Sequence, residues 1–133
     1  MNLQRKKSIC VYCAHRDGTK SSYLQAATDT GNMIARNSMR LVYGAGNVGL
    51  MGAFILLPGG FGSLDEFFEL ITWRQLGLHS KPCFIFNVNG YWDPLLKLIE
   101  NQISEGFVQS NNKNFYSIVN TIDEMETKLI QAL

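Results

Sequence analysis

The strongest constraint on the fold of this chain is a glycine-rich segment that lies between an apolar run and an amphipathic one. Residues 58–66 read Pro-Gly-Gly-Phe-Gly-Ser-Leu-Asp-Glu. The apolar run 54–57 precedes them, and a stretch with helical periodicity, residues 64–76, follows. This order predicts a buried strand, a tight loop and a helix, which is the connection typical of a parallel α/β sheet.

The same segment predicts a site for an anion such as phosphate. The glycines at positions 59, 60 and 62 let backbone N–H groups approach a ligand, and the start of the following helix adds unpaired donors and a partial positive charge. Ser63 and Glu66 lie one helical turn apart. Since a phosphate needs no acid, Glu66 indicates hydroxyl recognition or chemistry beside the phosphate. The alternative is a simple turn followed by a surface acid that the helix dipole favours.

Apolar runs and helical stretches alternate along the whole chain. Strands are expected at residues 8–12, 40–43, 54–57, 83–87 and near 116–119, and helices at about 22–37, 64–76, 93–105 and from 121 onward. This alternation predicts a Rossmann-like, doubly wound parallel sheet with helices on both faces, in one domain of 133 residues. For the first helix we expect Ser21 or Ser22 as the cap. Its predicted apolar stripe comprises Leu24, Ala27, Gly31, Ile34 and Ala35.

One connection does not fit this alternation. Ten residues separate Tyr43 from Phe54, whereas parallel strands are joined by a crossover of about a dozen residues or more, usually a helix. So short a connection leaves part of one sheet face without its covering helix. We therefore expect an internal segment to be missing, either as a true deletion or as an omission from the sequence. The clean helix caps on both sides favour omission.

A second glycine loop follows the predicted second strand. Gly44, Gly46 and Gly49 match the spacing of the dinucleotide fingerprint, so an NAD-dependent oxidoreductase is a rival interpretation. However, the loop follows the second strand rather than the first, and no acidic residue ends a following strand to hold a ribose. The glycines also fit a tight turn. Residues 58–66 lack the lysine of the P-loop pattern, which disfavours nucleoside triphosphate hydrolysis.

Composition and charge exclude several partners. The formal net charge is +1 without a long basic run, which argues against nucleic acid. The apolar run 9–14 is too short for a signal peptide or a membrane span, so we expect a cytoplasmic protein that does not enter a membrane.

No metal or redox site is expected. Cys10 and Cys13 match a C-x-x-C pattern, but residues three apart in a strand point to opposite faces. His15 and His79 have no companions at metal-ligand spacing. We therefore predict no metal and no cofactor.

Residues 58–66 resemble the PGGxGTxxE signature of the Lonely guy (LOG) family of cytokinin-activating phosphoribohydrolases, formerly mislabelled lysine decarboxylases. The resemblance covers nearly the whole chain and includes residues 11–13, 41–52 and 71–82. It implies a Rossmann-like fold, a homodimer and hydrolysis of the N-glycosidic bond of nucleoside 5′-monophosphates. The products would be an adenine-type base and ribose 5-phosphate. The resemblance leaves open whether the released base is adenine or a modified adenine.

The resemblance also assigns roles to particular residues. Glu66 would be the catalytic residue that faces the ribose, where a carboxylate stabilises an oxocarbenium-like state or orients water. The predicted substrate- and phosphate-binding residues are Gly44, Gly46, Gly59, Gly60, Gly62, Ser63 and Thr72.

Three departures from the family pattern are visible. Ser63 replaces the usual threonine, which keeps the hydroxyl, and residues 14–15 are Ala-His instead of Gly-Ser. The third lies at the junction of Gly52 and Ala53, where the family carries several tens of residues, among them its second catalytic residue, an arginine. Losing such a positioned group costs about a hundredfold or more in rate. The alternative function is therefore a non-catalytic protein that binds a nucleotide or another phosphorylated ligand.

Overall fold

A computed structural model describes residues 5–44 and 47–133 as five parallel strands with helices on both sides. The sheet order is β2-β1-β3-β4-β5, and every neighbouring pair is parallel. This architecture confirms the predicted fold class. The elements are β1 (Ser8–Tyr12), α1 (Ser21–Arg36), β2 (Arg40–Tyr43), β3 (Ala53–Leu56), α2 (Phe61–Gln75), β4 (Cys83–Phe86), α3 (Asp93–Ser104), β5 (Ser117–Val119) and α4 (Ile122–Ala132).

The strands are continuous apolar runs because both faces of the sheet are covered. Strands β1, β3 and β4 are buried along their whole length. Side chains alternate between the faces, so Ile9 and Val11 pack with α1 and α4 while Cys10 and Tyr12 pack with α2 and α3. The core is therefore two apolar layers, one on each side of the sheet. No helix in the described part of the chain is long and apolar enough to cross a membrane.

The strand order reverses beside β1. The chain leaves β1 through α1 to reach β2 on one side, whereas β3 lies on the other side of β1. At their carboxyl ends, β1 and β3 are joined by a hydrogen bond from Leu57 N–H to the Tyr12 carbonyl (2.9 Å). In open α/β sheets, ligands bind in the crevice outside the carboxyl ends of strands where the order reverses. The segments after β1 and β3 thus form the expected binding edge.

The connection from β2 to β3 is as short as its sequence suggested. It crosses β1, and its described residues include a 3₁₀ turn, Val48–Leu50, which the Asn47 side chain caps by accepting a hydrogen bond from Gly49 N–H (2.9 Å). Val48 packs on the α2 side of the sheet, but Leu50 is 55% exposed. In the described part of this connection, a short turn on the α2 side of the sheet thus takes the place of the α-helix that a usual crossover carries.

Helix α1 presents a different face to the sheet from the predicted one. Leu24 is 53% exposed and Ala35 is also exposed, so that part of the prediction is wrong. The buried residues are Ala26, Thr30, Met33 and Ile34. Thr30 tolerates burial because its hydroxyl donates to the Ala26 carbonyl (2.7 Å).

The predicted cap of α1 is also wrong. Lys20 occupies the cap position and makes no side-chain capping bond. The Ser22 hydroxyl instead accepts a hydrogen bond from Asn89 Nδ2 (2.5 Å), which ties α1 to the loop after β4.

Candidate functional site

The glycine segment after β3 is partly helical. Helix α2 begins at Phe61 rather than at Leu64 as predicted, with Gly60 as its cap (φ −113°, ψ −146°). The first intrahelical bond runs from Leu64 N–H to the Gly60 carbonyl (3.2 Å). The N–H groups of Phe61, Gly62 and Ser63 thus belong to the first helical turn, whose donors have no partner within the helix. The end of α2 that attracts anions therefore lies inside the signature itself.

Gly59 is a glycine because there is no room for a side chain. A Cβ atom at this position would lie 2.2 Å from Ser63 Oγ, 2.8 Å from Ser63 Cβ and 3.4 Å from Ala14 N. The Ser63 side chain is itself buried, at 4% exposure. The backbone after β1, the glycine loop and the first turn of α2 are thus packed directly against one another.

Gly60 and Gly62 have no such explanation. Among the described residues, a Cβ atom at either position would meet nothing within 4 Å, and neither residue is among those with positive φ. Glycine at position 62 also costs α2 about 1 kcal/mol relative to alanine. Neither a positive φ nor packing against the described residues requires glycine here. The missing side chains leave open space beside the unpaired N–H groups of α2, as a closely bound anion requires.

Glu66 is the sixth residue of α2 and is partly buried, one turn beyond Ser63. Its Oε1 atom lies 3.9 Å from the position of a Cβ on Gly44, at the end of β2. Gly44 has φ +70°, a conformation that favours glycine, and its carbonyl accepts a hydrogen bond from Cys10 Sγ (3.0 Å). The structure thus places Gly44 and Glu66, two of the predicted site residues, close together. Gly46, also predicted to bind substrate, lies outside the described residues.

The surroundings of Glu66 are acidic. Burial raises the pKa of its carboxyl group, and the nearby charges of Asp65 and Glu69 raise it further. Partial desolvation, together with the charge of Glu66, raises the pKa of the Cys13 thiol. The raised pKa favours the protonated thiol, which is a poor nucleophile even though Cys13 is exposed.

No cation pairs with Glu66 within residues 5–44 and 47–133. The two ion pairs found there are Arg36 with Glu126 and Lys128 with Glu124. The site therefore combines a helix N-terminus that attracts anions with an acid that no described cation neutralises.

Sequence reasoning missed Tyr91. This residue follows β4 at the same edge of the sheet, and its hydroxyl donates a hydrogen bond to the Gly59 carbonyl. The only sequence signal was the Asn89-Gly90 pair directly before it, which is typical of a tight left-handed turn.

The remaining predicted site residue is Thr72. It is exposed and lies six residues beyond Glu66 on α2, which corresponds to about 9 Å along the helix axis. Its contact with substrate stays a prediction. In the described part of the chain, no group of three or more His, Cys, Asp or Glu side chains is arranged to hold a metal ion. The three cysteines form no disulfide.

A cavity of about 590 Å³ lies at the other end of α2, away from the glycine loop. Residues of the short β2–β3 connection form one wall, and the end of α2 with the segment before β4 forms the other. Its lining residues are Asn47, Val48, Gly49, Trp73, Leu78, His79, Ser80 and Lys81. None of the predicted site residues that the structure describes lines this cavity, so we place the functional site at the glycine loop on chemical grounds.

Comparisons with known proteins identify the family of this chain. The family described as "Possible lysine decarboxylase" matches residues 18–129. The cytokinin riboside 5′-monophosphate phosphoribohydrolase LOG4 of Arabidopsis thaliana is 34% identical over 96% of this chain and 84% of its own length. LOG3 of the same plant is 32% identical over 97% of this chain and 84% of its own length. The phosphoribohydrolase LOG of Oryza sativa subsp. japonica is 32% identical over 94% of this chain and 73% of its own length.

The alignment with LOG4 spans 181 residues although this chain has only 133. The relative therefore contains additional residues within the aligned region, in agreement with the short β2–β3 connection. The match of the family across residues 18–129 and the identity to three of its named enzymes confirm the resemblance seen in the signature. This chain belongs to the LOG family of cytokinin riboside 5′-monophosphate phosphoribohydrolases.

Proposed function

We propose that this protein hydrolyses the N-glycosidic bond of nucleoside 5′-monophosphates and releases an adenine-type base and ribose 5-phosphate. The observation that carries the proposal is the pair Gly60 and Gly62. Their missing side chains open space beside the first turn of α2, and neither a positive φ nor a contact with the described residues requires glycine there. The named relatives, which are phosphoribohydrolases, support the same reaction class.

In this proposal the 5′-phosphate binds at the start of α2. The N–H groups of Phe61, Gly62 and Ser63 donate to its oxygens, and the positive end of the helix dipole favours its negative charge. A phosphate at this position needs no metal ion to be held.

Glu66 then lies on the ribose side of the phosphate. It is three residues beyond Ser63, which is about 4.5 Å along the helix axis. Water adds to the anomeric carbon while the bond to the base nitrogen breaks, and the base leaves with a proton. Since the ribose becomes cationic in the transition state, the carboxylate of Glu66 stabilises it.

A non-catalytic nucleotide-binding protein is the second candidate. It is favoured by the absence of a cation beside Glu66 in the described residues and by the short β2–β3 connection. The dinucleotide alternative loses support, because Gly49 lies in a three-residue 3₁₀ turn, whereas the fingerprint requires a helix that opens at the glycines.

The distinguishing experiment measures adenine release from AMP by chromatography and AMP affinity by calorimetry. Wild type should do both, whereas Glu66→Gln should keep AMP binding and lose about a hundredfold or more in turnover. Glu69→Gln, an exposed acid on the same helix, is the matched control and should stay active. Binding without adenine release in wild type would establish the second candidate, and absence of AMP binding would refute both.

We further propose a cytoplasmic homodimer, on the strength of the family resemblance. Phe68 and Trp73 on α2 are 37% and 38% exposed, which suits a contact between subunits. Light scattering of the purified protein tests this: a mass of twice 15.0 kDa is expected, and a mass of 15.0 kDa would contradict it.

A further inference from the structure

The segment after β4 forms an unusual left-handed turn. Asn89 has φ 52° and ψ 29°, Gly90 has φ +70°, and Tyr91 N–H donates to the Val88 carbonyl (2.9 Å). These values match a type I′ turn, for which Asn-Gly is a preferred pair. A Cβ on Gly90 would lie only 2.7 Å from Asp93 Oδ2. Glycine at position 90 therefore leaves room for the Asp93 carboxylate.

Asn87 stabilises this turn through hydrogen bonds. Its side chain accepts from Trp92 N–H (2.7 Å) and donates to Asp93 Oδ1 (2.8 Å), and its own N–H donates to the Val119 carbonyl (2.8 Å). Asn87 is only 8% exposed, so these bonds are protected from water. Residues 87–93 are thus fixed both to β5 and to the first turn of α3.

The turn directs Tyr91 at the glycine loop. The Tyr91 ring packs edge-on against Trp92 (4.8 Å between ring centroids) and against Tyr23 of α1 (5.5 Å). With the ring held on two sides, its hydroxyl donates to the Gly59 carbonyl. A loop that lies 32 residues away along the chain is thereby anchored to a rigid turn.

This anchor matters because it acts on a peptide that joins two glycines, Gly59 and Gly60. Peptides between glycines rotate easily, since no Cβ restricts φ and ψ. The peptide that joins Gly59 and Gly60 is planar and trans, so holding its carbonyl also sets the direction of the Gly60 N–H group. That group lies directly before the first turn of α2, where the phosphate is proposed to bind.

We propose that Tyr91 is a positioning residue of the phosphate site, and that residues 87–93 are the rigid support through which it holds the glycine loop in its binding conformation. The identity of the ligand rests on the proposed function, whereas the effect on the loop does not. Tyr91 acts through Gly59 and need not touch the substrate.

Tyr91→Phe tests this, because it keeps the ring and removes only the hydroxyl. Tyr116→Phe is the matched control, since Tyr116 is half-buried at the start of β5, at the opposite edge of the sheet. Hydrogen exchange of residues 58–64 should become faster in Tyr91→Phe and stay unchanged in the control. Dissociation constants for AMP and for inorganic phosphate should rise about twofold to tenfold, as expected for one hydrogen bond. The KM for AMP should rise with them while kcat stays the same.

The possible outcomes separate the two proposals. If wild type neither binds nor cleaves AMP, the proposed function fails, while faster exchange confined to residues 58–64 in Tyr91→Phe still supports the positioning role. Unchanged exchange in that segment would overturn the positioning role even if wild type cleaves AMP. Exchange that rises throughout the chain would also overturn it, since Tyr91 would then serve general stability.

Discussion

Two glycine-rich segments follow strands in this protein, and their glycines have different causes. In the β2–β3 connection, Gly44 has φ +70°, which favours glycine, and a Cβ on Gly49 would lie 3.3 Å from the Asn47 Oδ1 atom that caps its turn. In the β3–α2 segment, Gly60 and Gly62 have neither a positive φ nor a described neighbour within 4 Å of where a Cβ would lie. Glycine that the protein does not need for itself indicates a ligand, and glycine that it does need indicates only a turn.

Substitution of Gly62 by alanine tests this contrast most directly. Gly62→Ala should weaken AMP binding about tenfold to a hundredfold, because a Cβ would project into the space of the phosphate. The free energy of unfolding should stay the same or increase by up to about 1 kcal/mol, since alanine favours the helix. Calorimetric titration and urea denaturation measure the two effects. Lower stability together with unchanged affinity would show that the glycine is structural.

Gly59 provides the matched comparison within the same loop. Gly59→Ala should lower the free energy of unfolding by about 1–3 kcal/mol, because the new methyl group would overlap Ser63 Oγ. AMP binding should weaken as well, since Ser63 belongs to the first turn of α2. Urea denaturation of Gly59→Ala and Gly62→Ala under the same conditions tests this expectation. Equal free energies of unfolding for the two variants would contradict this packing.

A smaller effect is expected in the other segment. Gly44→Ala forces alanine into a left-handed conformation, which costs about 1–2 kcal/mol. A Cβ at this position would also stand 3.9 Å from Glu66 Oε1, which is ordinary contact. We therefore expect lower thermal stability with AMP affinity nearly unchanged. A large loss of affinity at wild-type stability would place Gly44 in the binding site proper.

The smallest effect concerns pH. Burial raises the pKa of Glu66 above its usual range in the folded protein, so the folded state holds this proton more tightly than the unfolded state does. The resulting contribution of Glu66 to stability is lost as pH rises through its folded pKa. In Glu66→Gln this part of the pH dependence should disappear, and the variant should be slightly more stable than wild type at neutral pH.

Glu124 supplies the control of opposite sign. The hydrogen bond from Asn120 N–H lowers the pKa of this carboxyl group, and Lys128 lowers it further. Its contribution is present above the unfolded pKa and is lost as pH falls. Thermal melts of Glu66→Gln and Glu124→Gln across the acidic range should therefore differ from wild type in opposite directions. Parallel curves would show that the shift at Glu66 does not affect folding.

Much of the fold could be predicted because its signals are local. Five apolar runs alternating with helical stretches were enough to predict a parallel sheet with helices on both faces, and the structure confirms it. The length between Tyr43 and Phe54 was enough to predict an abnormal crossover, and the described part of this connection contains a three-residue 3₁₀ turn rather than an α-helix. The cap of α4 is also a local feature, since the Thr121 hydroxyl accepts from Glu124 N–H only three residues away (3.1 Å).

Other features could not be read from neighbouring residues. The start of α2 at Phe61 depends on how Gly59 packs against Ala14 and Ser63. The orientation of α1 places Thr30 in the core and Leu24 in solvent. The predicted start of α2 and the predicted apolar face of α1 both fitted their neighbouring residues. Packing between distant parts of the chain gave a different start and a different set of buried residues.

The sequence by itself determined that this chain forms a doubly wound sheet with a glycine loop and an acid at one edge, because apolar periodicity and glycine placement act over a few residues. Only the tertiary structure decided which glycines serve the chain and which leave room for a ligand, because that depends on the atoms surrounding each one. It also decided that Tyr91 supports the loop. Residues separated by 32 positions met at one hydrogen bond because the sheet brings the ends of β3 and β4 to the same edge.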